Sequence, residues 1–319
     1  MKLYRNDGTN PYVNLATEQY LMDTETEDVF MLWRNDRSVI IGRNQNAYAE
    51  INQSFVAEHN IPVVRRLTGG GAVFHDPGNL CFSFIVSRAS CPEMNFSRFC
   101  RPILEALRSL GVPAELSGRN DMVVDGRKFS GNAECVYGDK VLHHGTLLFS
   151  ADLSRLAGAL NVNEEKMRSK GIKSVRSRVC NLSEYLPDLS VTDLKAYLER
   201  AIDGVPVTFS KEQLDGINDL VEHKYATWEW NYGHSRQYET TVRHRFPYGG
   251  VELSYTADRG ILTAVKLEGD FFATGDVSAW ENALVGCLLQ REALTERLRK
   301  AGEILLGISS DELVSLFFT

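Results

Sequence analysis

Apolar and polar positions along this 319-residue chain alternate in two ways, with a strand-like period near two and a helix-like period near 3.6. Leu15–Met22 predicts a short helix after Asn14. Val29–Trp33 and Ser38–Gly42 are apolar runs split by the polar stretch Arg34–Arg37, which predicts a hairpin. Pro62–Arg66 and Leu80–Val86 are rich in strand formers and flank a cluster of glycines. Phe96, Phe99, Cys100, Ile103, Leu104, Leu107 and Leu110 keep helical spacing until Gly111 and Pro113 stop it; Pro102 inside that pattern predicts a kink or a later start. Asp125-Gly126, between Met122–Val124 and Arg127–Phe129, is a type I′ hairpin signal because both residues tolerate positive φ. Val141–Phe149 predicts another strand, entered through a Gly138-Asp139 turn. Helices are expected at Leu153–Leu160, Val191–Ile202 and Lys211–Tyr225. The last two open on Ser190-x-x-Asp193 and Ser210-x-x-Gln213, which read as capping boxes.

The texture changes at Trp228–Arg236, aromatic and then polar. Beyond it, Val251–Tyr255 and Ile261–Leu267 alternate around the turn Ala257–Gly260. Helices are expected from Ser278, with Glu281 as capping-box partner, to about Lys300, and from Ser310 to Phe317. The length suits two domains, and the boundary is placed near 238: a larger unit at 1–238 and a small α+β unit at 239–319. The small unit holds 12 acids and 8 bases.

Hydrophobic residues at 43% and charged residues at 24% exclude a disordered or disulfide-scaffold chain. No apolar run approaches the roughly 20 residues of a membrane helix. The amino-terminal MKLYRNDGTNPY has neither an apolar signal core nor the composition of a transit peptide, so a cytoplasmic address is expected. Six scattered cysteines without a CxxC pair read as reduced packing residues, and the histidines form no HxxxH, so no fixed protein metal site is expected. The net charge of −7 argues against nucleic acid as the main partner. Against that background Lys166–Arg178 stands out, with six bases in thirteen residues, no acid, one glycine and three serines. It reads either as a solvated face or as a mobile anion-binding lid.

The most specific segment is VVRRLTGGGAVFHDPGNLCFSFIV, residues 63–86. Three successive glycines mark backbone that either makes a tight turn or approaches a ligand closely. The spacing fits neither a Walker A loop nor a Rossmann fingerprint, although such amides can cradle an anion. Arg65 and Arg66 precede them, and strand neighbours face opposite ways, so only one can serve the loop. In SGRNDMVVDGRKFSGNA, residues 117–133, Lys128 sits on the return strand beside the Ser130-Gly131 turn. It is either solvated or a point charge for a carboxylate or α-phosphate. In HHGTLLFSADLSRL, Gly145-Thr146 offers close backbone contact, and His143 and His144 would point to opposite faces of a strand.

RRLTGGGAVFHDPGNLCFSF, GRNDMVVDGRKFSGNA, HHGTLLFSADLSRL and KGIKSVRSRVCNL, with NPYVNLATEQYL before them and WEWNYG after, resemble the successive motifs of the lipoate–protein ligase A family. The resemblance implies an α+β fold: a mixed α/β catalytic domain of the biotin/lipoate ligase type with a smaller α+β C-terminal accessory domain. It implies ATP-dependent lipoylation with Mg2+. Lipoate's carboxylate attacks the α-phosphate of ATP, giving lipoyl-adenylate and pyrophosphate; an acceptor lysine then takes the acyl group and releases AMP. Carried over by position, Arg66, Gly71, Ala72, Val73, Phe74, Asn120, Asp121 and Lys128 would contact ATP or the adenylate. Lys128 would also be the catalytic cation and touch lipoate, with Gly70, Gly71, His143, Gly145 and Trp33 lining the acyl group. Lys173, Arg176 and Arg178 would belong to a loop closing over the intermediate. The implied partners are lipoate or octanoate and the lipoyl acceptor domains of E2 subunits and the glycine cleavage H protein, with no nucleic acid or membrane and a monomeric chain.

Trp33 also reads as plain core. Cys135, seven residues after Lys128, raises covalent acyl transfer as an alternative, since related acyltransferases use a cysteine; no histidine or second base lies beside it in sequence. A binder without chemistry is a further alternative. The glycine-arginine loop of biotin ligases is absent.

Overall fold

The computed structural model describes residues 1–118, 120–153, 158–160, 179–232 and 240–318. In chain order the strands are β1 (Lys2–Arg5), β2 (Val29–Trp33), β3 (Ser38–Ile41), β4 (Val63–Arg65), β5 (Val73–His75), β6 (Asn79–Ser87) and β7 (Ala114–Ser117). There follow β8 (Asp121–Val124), β9 (Arg127–Tyr137), β10 (Lys140–Leu148), β11 (Val205–Val207), β12 (Thr240–Phe246), β13 (Gly249–Asp258) and β14 (Ile261–Gly269). Eight of them form one sheet in the order β11-β1-β2-β6-β10-β9-β8-β7. Its centre, β2-β6-β10-β9, is antiparallel throughout.

That centre is covered on both sides, which is why β2 and, apart from Ser83, the Leu80–Val86 stretch of β6 read as apolar runs rather than alternating ones. On one side Phe30, Phe82 and Phe84 pack with Phe99, Ile103 and Leu107 of the helix Phe96–Ser109 and Leu194 and Leu198 of the helix Val191–Ala201. On the other, Met31, Trp33 and Ile85 pack with Leu15, Leu21 and Met22 of the helix Pro11–Thr24 and Ile217 of the helix Lys211–Leu220. Burying a side chain of this size is worth about 1.5–3 kcal/mol, so this sandwich fixes the plane on which the site is built.

Local signals hold where the chain decides locally. Asp125 and Gly126 take φ of 49° and 72° in the β8–β9 hairpin. Ser190 with Asp193, and Ser210 with Gln213, make both hydrogen bonds of a capping box. The expected hairpin between Val29–Trp33 and Ser38–Gly42 does not form. β2 lies between β1 and β6, whereas β3 leaves for a second sheet in the order β4-β3-β5. The helix Phe96–Ser109 runs through Pro102 and starts at Phe96, capped by Asn95. The first helix begins earlier than expected, on the Asn10 cap, and Asn14 is a buried residue inside it. Residues 154–157 of the helix expected at Leu153–Leu160 lie outside the described residues, as does the boundary expected near 238.

Toward the C terminus β12, β13 and β14 form an antiparallel sheet covered by helices Val277–Leu284, Arg291–Ala301 and Ser310–Leu316. The long helix expected from Ser278 is two helices, interrupted at Gly286 with φ of 82°. Asp276 caps the first of them, while Glu281 accepts the Leu267 amide instead of completing a box. The architecture is α+β with a smaller α+β unit at its C-terminal end, and no described helix is long and apolar enough to cross a membrane.

Candidate active site

The three glycines belong to the crossing from β4 to β5, two strands that both pair with β3 and not with each other. The loop therefore passes over β3, and glycine is required where backbone meets backbone. A Cβ on Gly42 would run into the Gly70 carbonyl, and Gly70 itself has φ of 89°.

Arg65 and Arg66 turn to opposite sides, as strand geometry demands. Arg65 is the anchor: its guanidinium donates to the carbonyls of Gly42, Arg43, Gln45, Trp230 and Asn231. The WEWN segment answers in kind. Asn231 Oδ1 accepts the Arg65 amide at 2.8 Å, and the Trp230 indole donates to the Arg65 carbonyl at 2.9 Å. Arg66 faces the loop. It donates through Nη2 to the carbonyls of Gly69 (2.7 Å) and Gly71 (2.9 Å), through Nη1 to Ile40, and through Nε to Thr68 Oγ1. Burial lowers both guanidinium pKa values to about 10, so both stay charged at neutral pH.

Lys128 is the second centre. The β8–β9 register shifts between Met122 and Val123, so the hairpin carries a bulge beside it. Its ammonium lies 2.7 Å from Asp121 Oδ1, over Gly131, where a Cβ would stand 3.0 Å from Nζ. Asn120 braces the same turn through hydrogen bonds with Asn132 in both directions. Val179, immediately after the basic run, forms a parallel bridge with Lys128, and the Cys180 amide donates to the Lys128 carbonyl at 2.9 Å. Lys173, Arg176 and Arg178 lie outside the described residues.

The two centres meet on β10. His144 contacts Thr68 at the foot of the glycine loop (2.7 Å), and the Thr146 hydroxyl meets the Gly131 amide (3.3 Å). Residues two apart on a strand share a face and lie about 7 Å apart. Loop and ammonium thus converge on one side of the sheet. His143 faces the other side, fully buried against Phe82, Phe96 and Phe99, with Nδ1 3.0 Å from Glu134. The structure therefore places His144, not His143, on the Arg66 side. Gly145 packs against Asn132 and Phe82, whose atoms a Cβ would strike. Trp33 is buried on the Arg66 side with its indole on Ser83 at 2.8 Å. Ala72 and Val73 are half-buried; Phe74 is buried with Val39 and Val63.

Cys135 also faces inward. Burial first, with the carboxylates of Glu18 and Glu134 adding to it, pushes its thiol up to about 12, which disfavours the thiolate. From the C-terminal unit the Phe271 carbonyl accepts the Gly70 amide at 3.1 Å, and the Phe272 ring packs against Gly70, Phe96 and Ala133. Sequence reasoning passed over Glu18, Thr68 and Ser83 as a group. The available signals were a glutamate on the apolar face of the first helix and a serine interrupting the run Leu80–Val86.

Residues 10–203 match the model of the lipoyl protein ligase A/B catalytic domain, and residues 235–317 match that of the bacterial lipoate protein ligase C-terminus. The chain belongs to the lipoyl protein ligase A/B family. Among family members, lipoate–protein ligase 1 of Staphylococcus aureus is 43% identical over 93% of both chains. Lipoate-protein ligase LplJ of Bacillus subtilis is 42% identical over 91% of this chain and 90% of its own. Of solved structures, LipL1 of P. falciparum in complex with lipoate superimposes with a TM-score of 0.80 at 26% identity, over 98% of each chain. A lipoate-protein ligase A bound with ATP gives 0.62 at 28% identity, over 73% of this chain and 98% of its own.

Proposed function

We propose that this chain is an ATP-dependent lipoate–protein ligase that makes lipoyl-adenylate and passes the lipoyl group to a lysine of a lipoyl acceptor domain. Family membership in both of its parts supports the reading. The structural observation that carries it is the convergence of the glycine loop and Lys128 on one face of β10. An enzyme that joins a carboxylate to an α-phosphate must hold two anions together and stabilise charge as it moves among oxygens, which cations and preset amides do without a protein nucleophile.

In this reading the loop Gly69–Phe74 lines the nucleotide and the acyl chain. Arg66 holds the loop's carbonyls so that its amides face the ligand. Lys128, with Asp121 and Asn120 beside it, takes the lipoate carboxylate and the α-phosphate as a point charge. Trp33 closes the acyl end. Mg2+ arrives on the nucleotide's phosphates rather than at a fixed protein site. Lys173, Arg176 and Arg178 close over the adenylate, a reading supported by the bridge that Val179, the next described residue, forms with Lys128. Residues 1–238 form the catalytic unit and 239–319 the accessory one. The enzyme acts as a monomer in the cytoplasm on E2 subunits and glycine cleavage H protein, with octanoate as an alternative acyl donor.

Lipoate-dependent exchange between pyrophosphate and ATP, followed by transfer to a purified lipoyl domain, tests the proposal. Exchange and transfer are both expected; absence of exchange with either lipoate or octanoate rejects it.

A further inference from the structure

Two adjacent histidines on β10 each meet a buried glutamate, and only one of the two pairs leads onward. His143 binds Glu134 through Nδ1, and its buried Nε2 has no partner among the described residues. His144 uses both nitrogens: Nδ1 lies 2.9 Å from Glu18 Oε1, and Nε2 lies 2.7 Å from Thr68 Oγ1. Thr68 in turn accepts the Arg66 Nε–H at 2.9 Å. At the other end Glu18 accepts the Ser83 hydroxyl at 2.5 Å, and Ser83 accepts the Trp33 indole N–H at 2.8 Å. All six residues are buried.

The chain closes in one direction. Thr68 accepts from Arg66, and donation of its own proton to His144 Nε2 is the arrangement that leaves that proton paired among the described residues. His144 must then carry its proton on Nδ1, where Glu18 receives it. Each donor and acceptor that links one residue to the next is paired, and a carboxylate at one end balances a guanidinium at the other. Buried polar chains are costly unless completed. Apolar side chains could fill the same volume, so this one suits a need for fixed geometry rather than for stability.

That geometry is the glycine loop's. Four of the five Arg66 N–H groups are spent on Thr68, Ile40, Gly69 and Gly71. Among the described residues one is left over. Arg66 therefore sets the curvature of the loop more than it binds substrate, and Thr68 sets the rotation of Arg66. We propose that Glu18, acting through His144 and Thr68, is a positioning residue that locks Arg66 and so presets the amides of Gly69 and Gly71, on either side of the Gly70 amide held by Phe271, for the anionic end of the nucleotide or adenylate. The inference rests on the ligase reading for its ligand, but the locking itself is a property of the protein alone.

Thr68→Val removes the hydroxyl at nearly constant volume and leaves Arg66 Nε and His144 Nε2 unpaired; Thr68→Ser keeps it. Thr68→Val is expected to raise the KM for ATP in pyrophosphate exchange by about tenfold or more, the scale of one buried hydrogen bond lost. Thr68→Ser should stay within about threefold of wild type. Amide exchange at Gly69–Gly71 should quicken in Thr68→Val and in Glu18→Gln while the thermal midpoint of β10 and β6 protection is retained. Equal kinetics for the Val and Ser variants, or unchanged loop protection in both Thr68→Val and Glu18→Gln, would overturn the inference. If Thr68→Val fails to fold, Glu18→Gln decides by the same two readouts. A wild-type enzyme without exchange activity would sink the ligase reading instead, leaving loop protection to judge the lock.

Discussion

Lys128 holds its ammonium 2.7 Å from Asp121 across the Asp125-Gly126 hairpin, and both side chains remain about a third exposed, at 35% and 27%. An ion pair so open contributes at most about 1 kcal/mol to the fold. Under the proposed function its value lies in placement, the carboxylate holding the cation where it would meet an anionic substrate. Lys128→Ala should therefore fold and melt like wild type, yet lose on the order of a hundredfold or more in adenylate formation, the usual cost of removing one such contact. Lipoate-dependent pyrophosphate exchange measures it. Wild-type exchange in a folded Lys128→Ala protein would remove Lys128 from the chemistry.

What the sequence made legible were features decided within a few residues. The Asp125-Gly126 turn needs only two residues that accept positive φ, and the Ser190 and Ser210 caps need only a partner three positions on. The β2–β3 hairpin failed for the opposite reason. Both runs are buried, but nothing local tells that Ser38–Ile41 will pair with strands starting at Val63 and Val73. β12 was missed because Thr240–Phe246 is half-exposed and polar, without the apolar run that marks a strand. At the site, Arg66 and Lys128 stood out by motif. Which of His143 and His144 shares a face with Arg66 needed the register of β10 against β6 and β9.

Cys135 lies seven residues from Lys128 and invites an acyl-thioester route. Its thiol is pushed up to about 12 by burial, and the nearby carboxylates oppose ionisation further. Cys135→Ser should leave both exchange and transfer within about twofold of wild type, since a half-buried thiol held in its protonated form supplies no nucleophile. A variant that forms lipoyl-adenylate but cannot pass the acyl group to a lipoyl domain would revive the cysteine mechanism.

Phe272 joins the C-terminal unit to the glycine loop. It is buried to 2% exposure between Phe96, Ala133 and Gly70, while the neighbouring Phe271 carbonyl accepts the Gly70 amide. Truncation to alanine removes a ring from a closed contact and should cost about 3 kcal/mol or more. Phe272→Ala is expected to lower the denaturant midpoint and to expose the Gly70 amide to faster hydrogen exchange. Unchanged protection at Gly70 in that variant would show that the ring does not hold the loop.

The pH response should turn on two buried groups that pull in opposite directions. Burial, with Arg66 and His144 adding repulsion, depresses His75 from 6.5 to about 3. The unfolded chain takes up a proton near pH 6.5 that the folded one refuses, so this group's stabilisation is complete above pH 6.5 and falls on acidification. At pH 5 the loss is about 2 kcal/mol, and His143, also lowered by burial, acts in the same sense. Glu268 does the reverse. It sits opposite Glu252 in the β13–β14 ladder, and burial holds its carboxyl up at about 7 against the cations of Lys266 and Arg65, with Glu281 raising it further. The folded protein keeps a proton there that the unfolded chain releases near 4.5, so stability is highest below that value and declines until pH 7. Between pH 5 and 6.5 the two effects oppose each other, and the wild-type profile should be flattened there. Glu268→Gln removes one of them. Its stability should climb more steeply from pH 5 to 6.5 than wild type, and at pH 8 it should exceed wild type by up to about 3 kcal/mol. Denaturant midpoints at pH 5, 6.5 and 8 measure both; profiles that run parallel for the two proteins would show that Glu268 is ionised across the range.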